Sequence, residues 1–205
     1  MKRLLVVAAC VREAKPFREA GLSVVVSGVG RVNAALATTL ALETGDFDAV
    51  LSVGFAGALP GSELQPGAVV IATHAVYAEE GIVTPDGFED LSSMGFELAP
   101  FFEGNAVACN VLFPKRLEEA TYGRIATVAT CSGTDSTANV LAQRTGALAE
   151  AMEGAAVIHA ARMLGATAGE LRVISNQTGN RSEQGWNLDK ADQGLGRVAK
   201  YLSVI

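Results

Sequence analysis

Residues 22–44, LSVVVSGVGRVNAALATTLALET, decide the fold class of this chain. An apolar run typical of a buried strand ends at the glycine turn Gly28-Val29-Gly30, and a stretch with helical propensity follows the turn. A buried strand that leads directly into a helix is the repeating unit of parallel sheets that are covered by helices on both faces. The rest of the chain can therefore be searched for further units of this kind.

The same alternation of strand and helix recurs along the whole chain. Apolar runs that predict strands occupy residues 4–9, 48–53, 68–78, 123–130 and 171–175. Helical patterns occupy residues 12–20, 111–120, 135–146, 152–164 and 188–202. Pro16 is expected near the beginning of its helix, and residues 80–106 are expected to be irregular with a turn at Pro85-Asp86-Gly87. The pattern predicts a single domain, residues 1–205, with a largely parallel sheet and helices on both of its faces.

Composition excludes several classes of function. Of the 205 residues, 49% are hydrophobic and 19% are charged, and the formal net charge is -6. An acidic balance argues against binding to nucleic acid or to an anionic membrane. No apolar stretch reaches the length of a membrane span, and no convincing cleavage site follows the apolar run near the N-terminus. The three cysteines share no metal-ligand spacing, so we expect reduced thiols in a cytoplasmic protein, without metal or cofactor.

Glu13 and Asn176 follow predicted strands, at the edge of the sheet where ligands usually bind, and Glu153 is a third polar candidate. Glu13 could activate a water molecule there, although a solvated glutamate in the first turn of a helix explains it better when it is taken alone. Glu153 opens a helix of small and apolar residues, and it is either a structural cap or a buried carboxylate that binds sugar hydroxyls. The amide of Asn176 could read the edge of a heterocycle or form a turn.

Several motifs together resemble one known superfamily. The four motifs are Ser27-Gly28-Val29-Gly30-Arg31-Val32-Asn33-Ala34-Ala35, Ser52-Val53-Gly54-Phe55-Ala56-Gly57, Met152-Glu153-Gly154-Ala155-Ala156 and Ile174-Ser175-Asn176. Their order and approximate spacing resemble the nucleoside phosphorylase/nucleosidase superfamily over essentially the whole chain. The resemblance is closest to its hydrolase branch, which includes methylthioadenosine/S-adenosylhomocysteine nucleosidase. Within that branch, Asn176 and Trp186 make the chain most similar to the futalosine hydrolases, enzymes of the futalosine route to menaquinone.

The resemblance implies a fold and an activity. It implies a three-layer α/β/α sandwich around a mixed sheet, cleavage of the N-glycosidic bond of a purine nucleoside, and a homodimer or larger assembly. Glu13 matches the glutamate that positions the attacking water, and Glu153 matches the glutamate that holds the ribose hydroxyls. Met152 matches the methionine that packs beside the sugar.

The resemblance also implies a base pocket. Asn176 stands where the adenine-specific nucleosidases carry an aspartate that helps to protonate the purine. An asparagine cannot be a general acid, but it can hydrogen-bond N7 and O6 of a 6-oxopurine, which favours hypoxanthine over adenine. Gly133 and Ser136 belong to the segment that walls the base pocket. Phe55 and Gly57 are further candidates for contact with the substrate.

The nucleophile distinguishes a hydrolase, which uses water, from a phosphorylase, which uses phosphate. Phosphate requires a cationic cradle, for which Arg12 and Arg31 are the candidates. The apolar Phe55 stands at the strand end instead of an arginine, which favours water. A methylthioadenosine/S-adenosylhomocysteine nucleosidase and a purine nucleoside phosphorylase are the alternatives. A nucleoside-binding module without turnover is disfavoured, because binding alone does not need Glu13 together with Glu153.

Overall fold

The computed structural model describes residues 3–110, 117 and 119–204. The strands of the described residues are β1 (Leu4–Ala8), β2 (Ser23–Val26), β3 (Ala49–Ala58), β4 (Val69–Tyr77), β5 (Gly81–Thr84), β6 (Gly87–Asp90), β7 (Phe102–Glu103), β8 (Ala106–Ala108), β9 (Ala120–Thr127), β10 (Ala147–Ala151) and β11 (Thr167–Gln177). The helices are α1 (Val11–Glu19), α2 (Arg31–Thr44), α3 (Asp135–Thr145), α4 (Gly154–Met163) and α5 (Leu188–Leu202), with a short 3-10 turn at Arg181–Glu183.

The central sheet mixes parallel and antiparallel neighbours, as predicted. β1 lies between β2 and β3 and is parallel to both. The pairs β3–β11, β4–β9 and β9–β10 are also parallel, whereas β3–β10 and β4–β11 are antiparallel. Because β10 pairs with β3 as well as with β9, the strands β3, β11, β4, β9 and β10 close into a ring. The strand pattern of the sequence did not indicate this closure.

Two helices cover each face of the sheet, which confirms the predicted three layers. On one face, Phe17 of α1 and Leu195 and Val198 of α5 pack on the strands with no exposed surface. On the other face, α2 and α4 pack together, and Ile158 of α4 is equally buried. Burial of each of these larger side chains stabilises the fold by about 1.5–3 kcal/mol. The strands therefore lie between two helical layers.

Helix α1 contains Pro16 in its interior, so the prediction that Pro16 lies near its beginning was wrong. A proline there has no N–H to donate to the carbonyl of Arg12. The helix nevertheless continues, because Phe17 is anchored in the core and the N–H of Ala20 donates to the Pro16 carbonyl at 3.1 Å. Tertiary packing overrides the local preference at this position.

Residues 80–106 are more regular than expected. They form the antiparallel hairpin β5–β6, and the short strands β7 and β8 extend the main sheet. The predicted turn is confirmed, because β5 ends at Thr84 and β6 begins at Gly87. These strands were missed because each has only two to four residues, too few for a clear alternation of apolar and polar side chains.

Two further differences concern the second half of the chain. Strand β10 was not predicted, because its sequence ALAEA is rich in alanine, which has low strand propensity. The predicted helix over residues 111–120 falls mostly outside the described residues, and Ala120 begins β9 instead of ending a helix.

None of the described helices is long and apolar enough to cross a membrane.

Candidate active site

A cavity of about 490 Å³ opens at the ends of β1, β3, β10 and β11 and at the start of α4. The predicted site residues that line it are Glu13, Phe55, Gly57, Gly133, Met152, Glu153 and Asn176. Ser136 is not among its lining residues, because it lies in the first turn of α3 and is exposed. The cavity is therefore built from segments that are distant in the sequence and adjacent in the sheet.

Glu13 is held by backbone donors on both of its carboxylate oxygens. Oε1 accepts a hydrogen bond from the N–H of Phe55 at 2.7 Å. Oε2 accepts from the N–H groups of Ala9 at 3.1 Å and Cys10 at 3.2 Å. Only 6% of Glu13 is exposed, so it is not the solvated first-turn glutamate of the alternative interpretation. Each carboxylate oxygen has about two lone pairs, which leaves one on Oε1 for a ligand.

Glu153 connects the methionine–glutamate motif to the glycine turn. It is the N-cap residue of α4 and is buried. Its Oε1 accepts a hydrogen bond at 3.0 Å from the N–H of Gly30, whose φ of 96° favours glycine. Its Oε2 lies 3.2 Å from Nη1 of Arg172. The carboxylate is fixed in direction and keeps acceptor capacity on both oxygens.

Arg172 and Glu170 form a buried ion pair behind the cavity that was not predicted. Nε of Arg172 donates to Oε1 of Glu170 at 2.8 Å, and Nη2 donates to Oγ of Ser52 at 3.0 Å. Burial lowers the pKa of Arg172. The negative charges of Glu170, Glu153 and Glu13 outweigh the effect of burial, so that the pKa of Arg172 is raised. Burial raises the pKa of Glu170, against the influence of Arg172. The available signal was the presence of two charged residues in a stretch, residues 168–174, that is otherwise apolar.

Two glycines allow these charged groups to approach the backbone. Gly54 has a φ of 154°, and a Cβ at this position would lie 2.5 Å from Oε1 of Glu13 and 2.8 Å from Nη1 of Arg172. A Cβ at Gly154 would overlap the carboxylate of Glu170. Both motif glycines are therefore required by the packing of carboxylates against them.

Asn176 is the last residue but one of β11. It lies next to the point after Ile174 where the register between β11 and β3 shifts. Its Nδ2 donates to the carbonyl of Gln177 at 2.7 Å, and its Oδ1 accepts from Oγ of Ser175 at 2.8 Å. These two bonds orient the amide and leave one N–H of Nδ2 for a ligand. Asn176 is thus a positioned donor in the cavity wall and not a surface turn residue.

Glu150 is a second buried carboxylate of the cavity that sequence reasoning missed. Ser132 donates to it twice, from its backbone N–H at 2.8 Å and from its Oγ at 2.6 Å. Burial raises the pKa of Glu150, although the bonds from Ser132 oppose the shift. Gln184 donates to the carbonyl of Ser132 at 2.9 Å, and Trp186 donates to Gln184 at 3.1 Å. Glu150 was missed as a site residue because it lies on strand β10, which the sequence pattern did not predict.

The two arginines that were candidates for binding phosphate are engaged elsewhere. Arg12 pairs with Asp192 at 2.6 Å. Arg31 pairs with Glu80 at 2.6 Å and lies 3.4 Å from Glu79. Neither arginine lines the cavity. Within the described part of the chain, no group of His, Cys, Asp and Glu side chains is arranged to hold a metal ion.

Comparison with known proteins places the chain in a family. The phosphorylase superfamily matches residues 18–204. A futalosine hydrolase of Acidothermus cellulolyticus is 36% identical over 180 residues, which cover 82% of this chain and 69% of that protein. A futalosine hydrolase of Streptomyces coelicolor is 33% identical over 198 residues, which cover 89% of this chain and 80% of that protein.

The fold has solved counterparts. The 5'-methylthioadenosine/S-adenosylhomocysteine nucleosidase of Neisseria meningitidis, solved in complex with methylthio-immucillin-A, superposes with a TM-score of 0.79. The superposition covers 100% of both chains at 21% identity, so the likeness concerns the fold alone. The match of the family over residues 18–204 and the identity to the two futalosine hydrolases show that this chain belongs to the phosphorylase superfamily.

Proposed function

We propose that this protein hydrolyses the N-glycosidic bond of futalosine and releases hypoxanthine and dehypoxanthine futalosine, a step of menaquinone biosynthesis. The observation that carries the proposal is one cavity with the buried carboxylates Glu13 and Glu153 and the oriented amide of Asn176. The relatedness to two futalosine hydrolases over most of the chain supports the choice of substrate.

The two carboxylates suit a reaction in which the sugar becomes cationic. Cleavage of a ribosyl C–N bond passes through an oxocarbenium-like sugar, which nearby negative charges stabilise. Oε1 of Glu13 has the remaining lone pair that accepts a proton from the attacking water, whose oxygen forms the new bond to C1'. The free lone pairs of Glu153 accept hydrogen bonds from ribose hydroxyls. Met152 and Phe55 provide the apolar contacts beside the sugar.

The leaving purine is stabilised at the other side of the cavity. When the C1'–N9 bond breaks, its electron pair remains on the purine, which becomes more negative. The free N–H of Asn176 donates to that charge at N7, while Gly57 and Gly133 leave room for the flat ring. One positioned donor of this kind contributes roughly 2.7–4 kcal/mol to the transition state.

Water, not phosphate, is the proposed nucleophile. The ion pairs of Arg12 and Arg31 with carboxylates leave neither as a cationic cradle at the cavity. A third arginine, Arg181, lines the cavity, but it donates to Gln184 at 2.9 Å. The engagement of Arg12 and Arg31 supports hydrolysis over phosphorolysis. The amide of Asn176 favours a 6-oxopurine over the adenine of methylthioadenosine, which makes the adenine-specific nucleosidase the second candidate.

We also propose that the protein is a homodimer or a larger homo-oligomer in the cytoplasm. Val32, Leu36 and Leu40 are spaced four residues apart on α2 and are 73%, 59% and 63% exposed. Such a stripe is typical of a helix that packs against a partner, here a second copy. Light scattering at micromolar concentration should give at least twice the mass of one chain. A monomeric mass would contradict the proposal, and Leu36→Glu should dissociate the assembly.

A substrate panel tests the proposed activity. The protein is incubated with futalosine, inosine and methylthioadenosine, with and without phosphate, and the free base is measured. We expect hypoxanthine from futalosine at a rate that does not depend on phosphate. Adenine from methylthioadenosine at a comparable or higher kcat/KM would favour the second candidate. A requirement for phosphate would indicate a phosphorylase.

A further inference from the structure

Three residues on neighbouring strands lie side by side beneath the cavity. Strand β3 runs between β10 and β11 at this edge of the sheet. The register pairs Gly57 of β3 with Glu150 of β10 on one side and with Asn176 of β11 on the other. A carboxylate and an amide therefore flank a position that has no side chain.

Both flanking side chains project on the same side as the missing side chain of Gly57. A Cβ at Gly57 would lie 3.4 Å from Nδ2 of Asn176 and 3.6 Å from Cγ of Glu150. All three residues line the cavity. Two strand spacings separate the backbones of Glu150 and Asn176 by about 10 Å. Both side chains thus border the same part of the cavity, one on each side of Gly57.

The chemistry of Glu150 restricts what it can bind. An ionised carboxylate only accepts hydrogen bonds. The two bonds from Ser132 occupy one lone pair on each oxygen, so each oxygen can accept one more. No arginine or lysine pairs with Glu150 among the ion pairs of the described residues. A ligand that presents a donor to this carboxylate therefore matches it better than one that presents an acceptor.

We propose that Glu150 is a specificity-determining residue that accepts the ring N1–H of a 6-oxopurine while Asn176 binds the opposite, imidazole side. This assignment deepens the proposed function and rests on its purine subsite. Hypoxanthine carries a proton on N1, whereas adenine has a lone pair there. Adenine would place the lone pair of its N1 against the carboxylate, which would then keep only its two bonds from Ser132 and face a second acceptor, a mismatch that hydrogen-bonding sites reject strongly.

Direct binding of free bases tests the assignment independently of turnover. Trp186 is the single tryptophan of the chain and lines the cavity, so its fluorescence reports occupancy. For the wild type we expect hypoxanthine to bind at least about 10-fold more tightly than adenine or 1-methylhypoxanthine, which lacks the N1 proton. Equal binding of hypoxanthine and adenine, or failure to bind hypoxanthine, would overturn the assignment.

The decisive variant is Glu150→Gln. A glutamine can keep both bonds with Ser132, since its oxygen accepts from the backbone N–H and its amide donates to Oγ. Its second amide proton then faces the cavity and matches N1 of adenine. We expect the preference for hypoxanthine over adenine to fall by about 10-fold or more. Glu89→Gln removes the same charge from an exposed residue that does not line the cavity, and it should keep the wild-type ratio.

Turnover separates this inference from the proposed function. The ratio of kcat/KM for futalosine and its 6-amino analogue is measured in the wild type, Glu150→Gln and Glu89→Gln. If the wild type cleaves futalosine and Glu150→Gln has the same ratio, the assignment is wrong and the proposed function stands. If the wild type binds hypoxanthine selectively but cleaves neither nucleoside, the proposed function is wrong and the role of Glu150 in binding stands.

Discussion

Replacing Glu13 by glutamine should leave a folded protein that binds nucleoside but cleaves it slowly. The carboxylate accepts two backbone N–H groups on Oε2 and one on Oε1. A glutamine can satisfy only one of these sides with its oxygen. It should keep the two bonds from Ala9 and Cys10 and direct its amide nitrogen toward the N–H of Phe55. The free lone pair of Oε1 is then replaced by an N–H that cannot accept a proton.

Glu13→Gln should affect both stability and turnover, by amounts that are typical of the groups it removes. Loss of the acceptor for the N–H of Phe55 should lower the free energy of unfolding by about 1–3 kcal/mol. For a chain of this size that corresponds to a decrease in Tm of about 2–12 °C. Loss of a general base should lower kcat by roughly 10²–10⁴-fold. KM should change little, because the ribose contacts of Glu153 and the base contacts of Asn176 remain.

Steady-state kinetics with futalosine and thermal unfolding measure the two effects separately. Glu19→Gln is the matched control, since it changes an exposed glutamate on the same helix whose ion pair with Lys15 spans 3.9 Å. The control should remain within about 0.5 kcal/mol of the wild type in stability and unchanged in kcat. A kcat for Glu13→Gln equal to that of the wild type would refute the role of Glu13 in activating water.

Four further expectations follow from the same contacts. Glu153→Gln should lower kcat and raise KM for futalosine, because its sugar contacts are made in the ground state and in the transition state; a change in kcat alone would argue against ribose binding. Asn176→Asp should narrow or reverse the preference for futalosine over its 6-amino analogue, and an unchanged ratio of kcat/KM would mean that this residue does not read the base. Gly154→Ala should lower the free energy of unfolding by about 1–3 kcal/mol, because it forces a methyl group against the buried carboxylate of Glu170. Gly196→Ala is the control: its methyl group lies in open space on α5 and should raise the free energy of unfolding by about 0.5–1 kcal/mol. Chemical denaturation measures both. Burial raises the pKa of Glu150 above its ordinary 4.5, so its contribution to stability is complete below that pH and is lost as the pH rises through the raised value. Glu150→Gln should therefore gain stability relative to the wild type across this interval, and parallel pH profiles would contradict the shift.

Local patterns were sufficient to predict most of the helices and strands around the site. The helix over residues 188–202 was predicted with the bounds that the structure has, because its apolar residues recur at helical spacing. Glu13 and Asn176 were found because they follow apolar strands, and Glu153 because it opens a helix of small residues. The resemblance to a known superfamily then assigned them roles that position alone left open.

The sequence by itself determined the alternation of strands and helices and the polar residues at the strand ends, because these depend on neighbours within a few positions. Tertiary structure alone decided the closure of the sheet, the pairing of Arg172 with Glu170 and Glu153, and the place of Glu150 opposite Asn176. It also decided that Ser136 lies outside the cavity. The physical reason is register. Which residue of one strand faces which residue of the next depends on the packing of the whole sheet, and no local pattern of ALAEA or LRVIS carries that information.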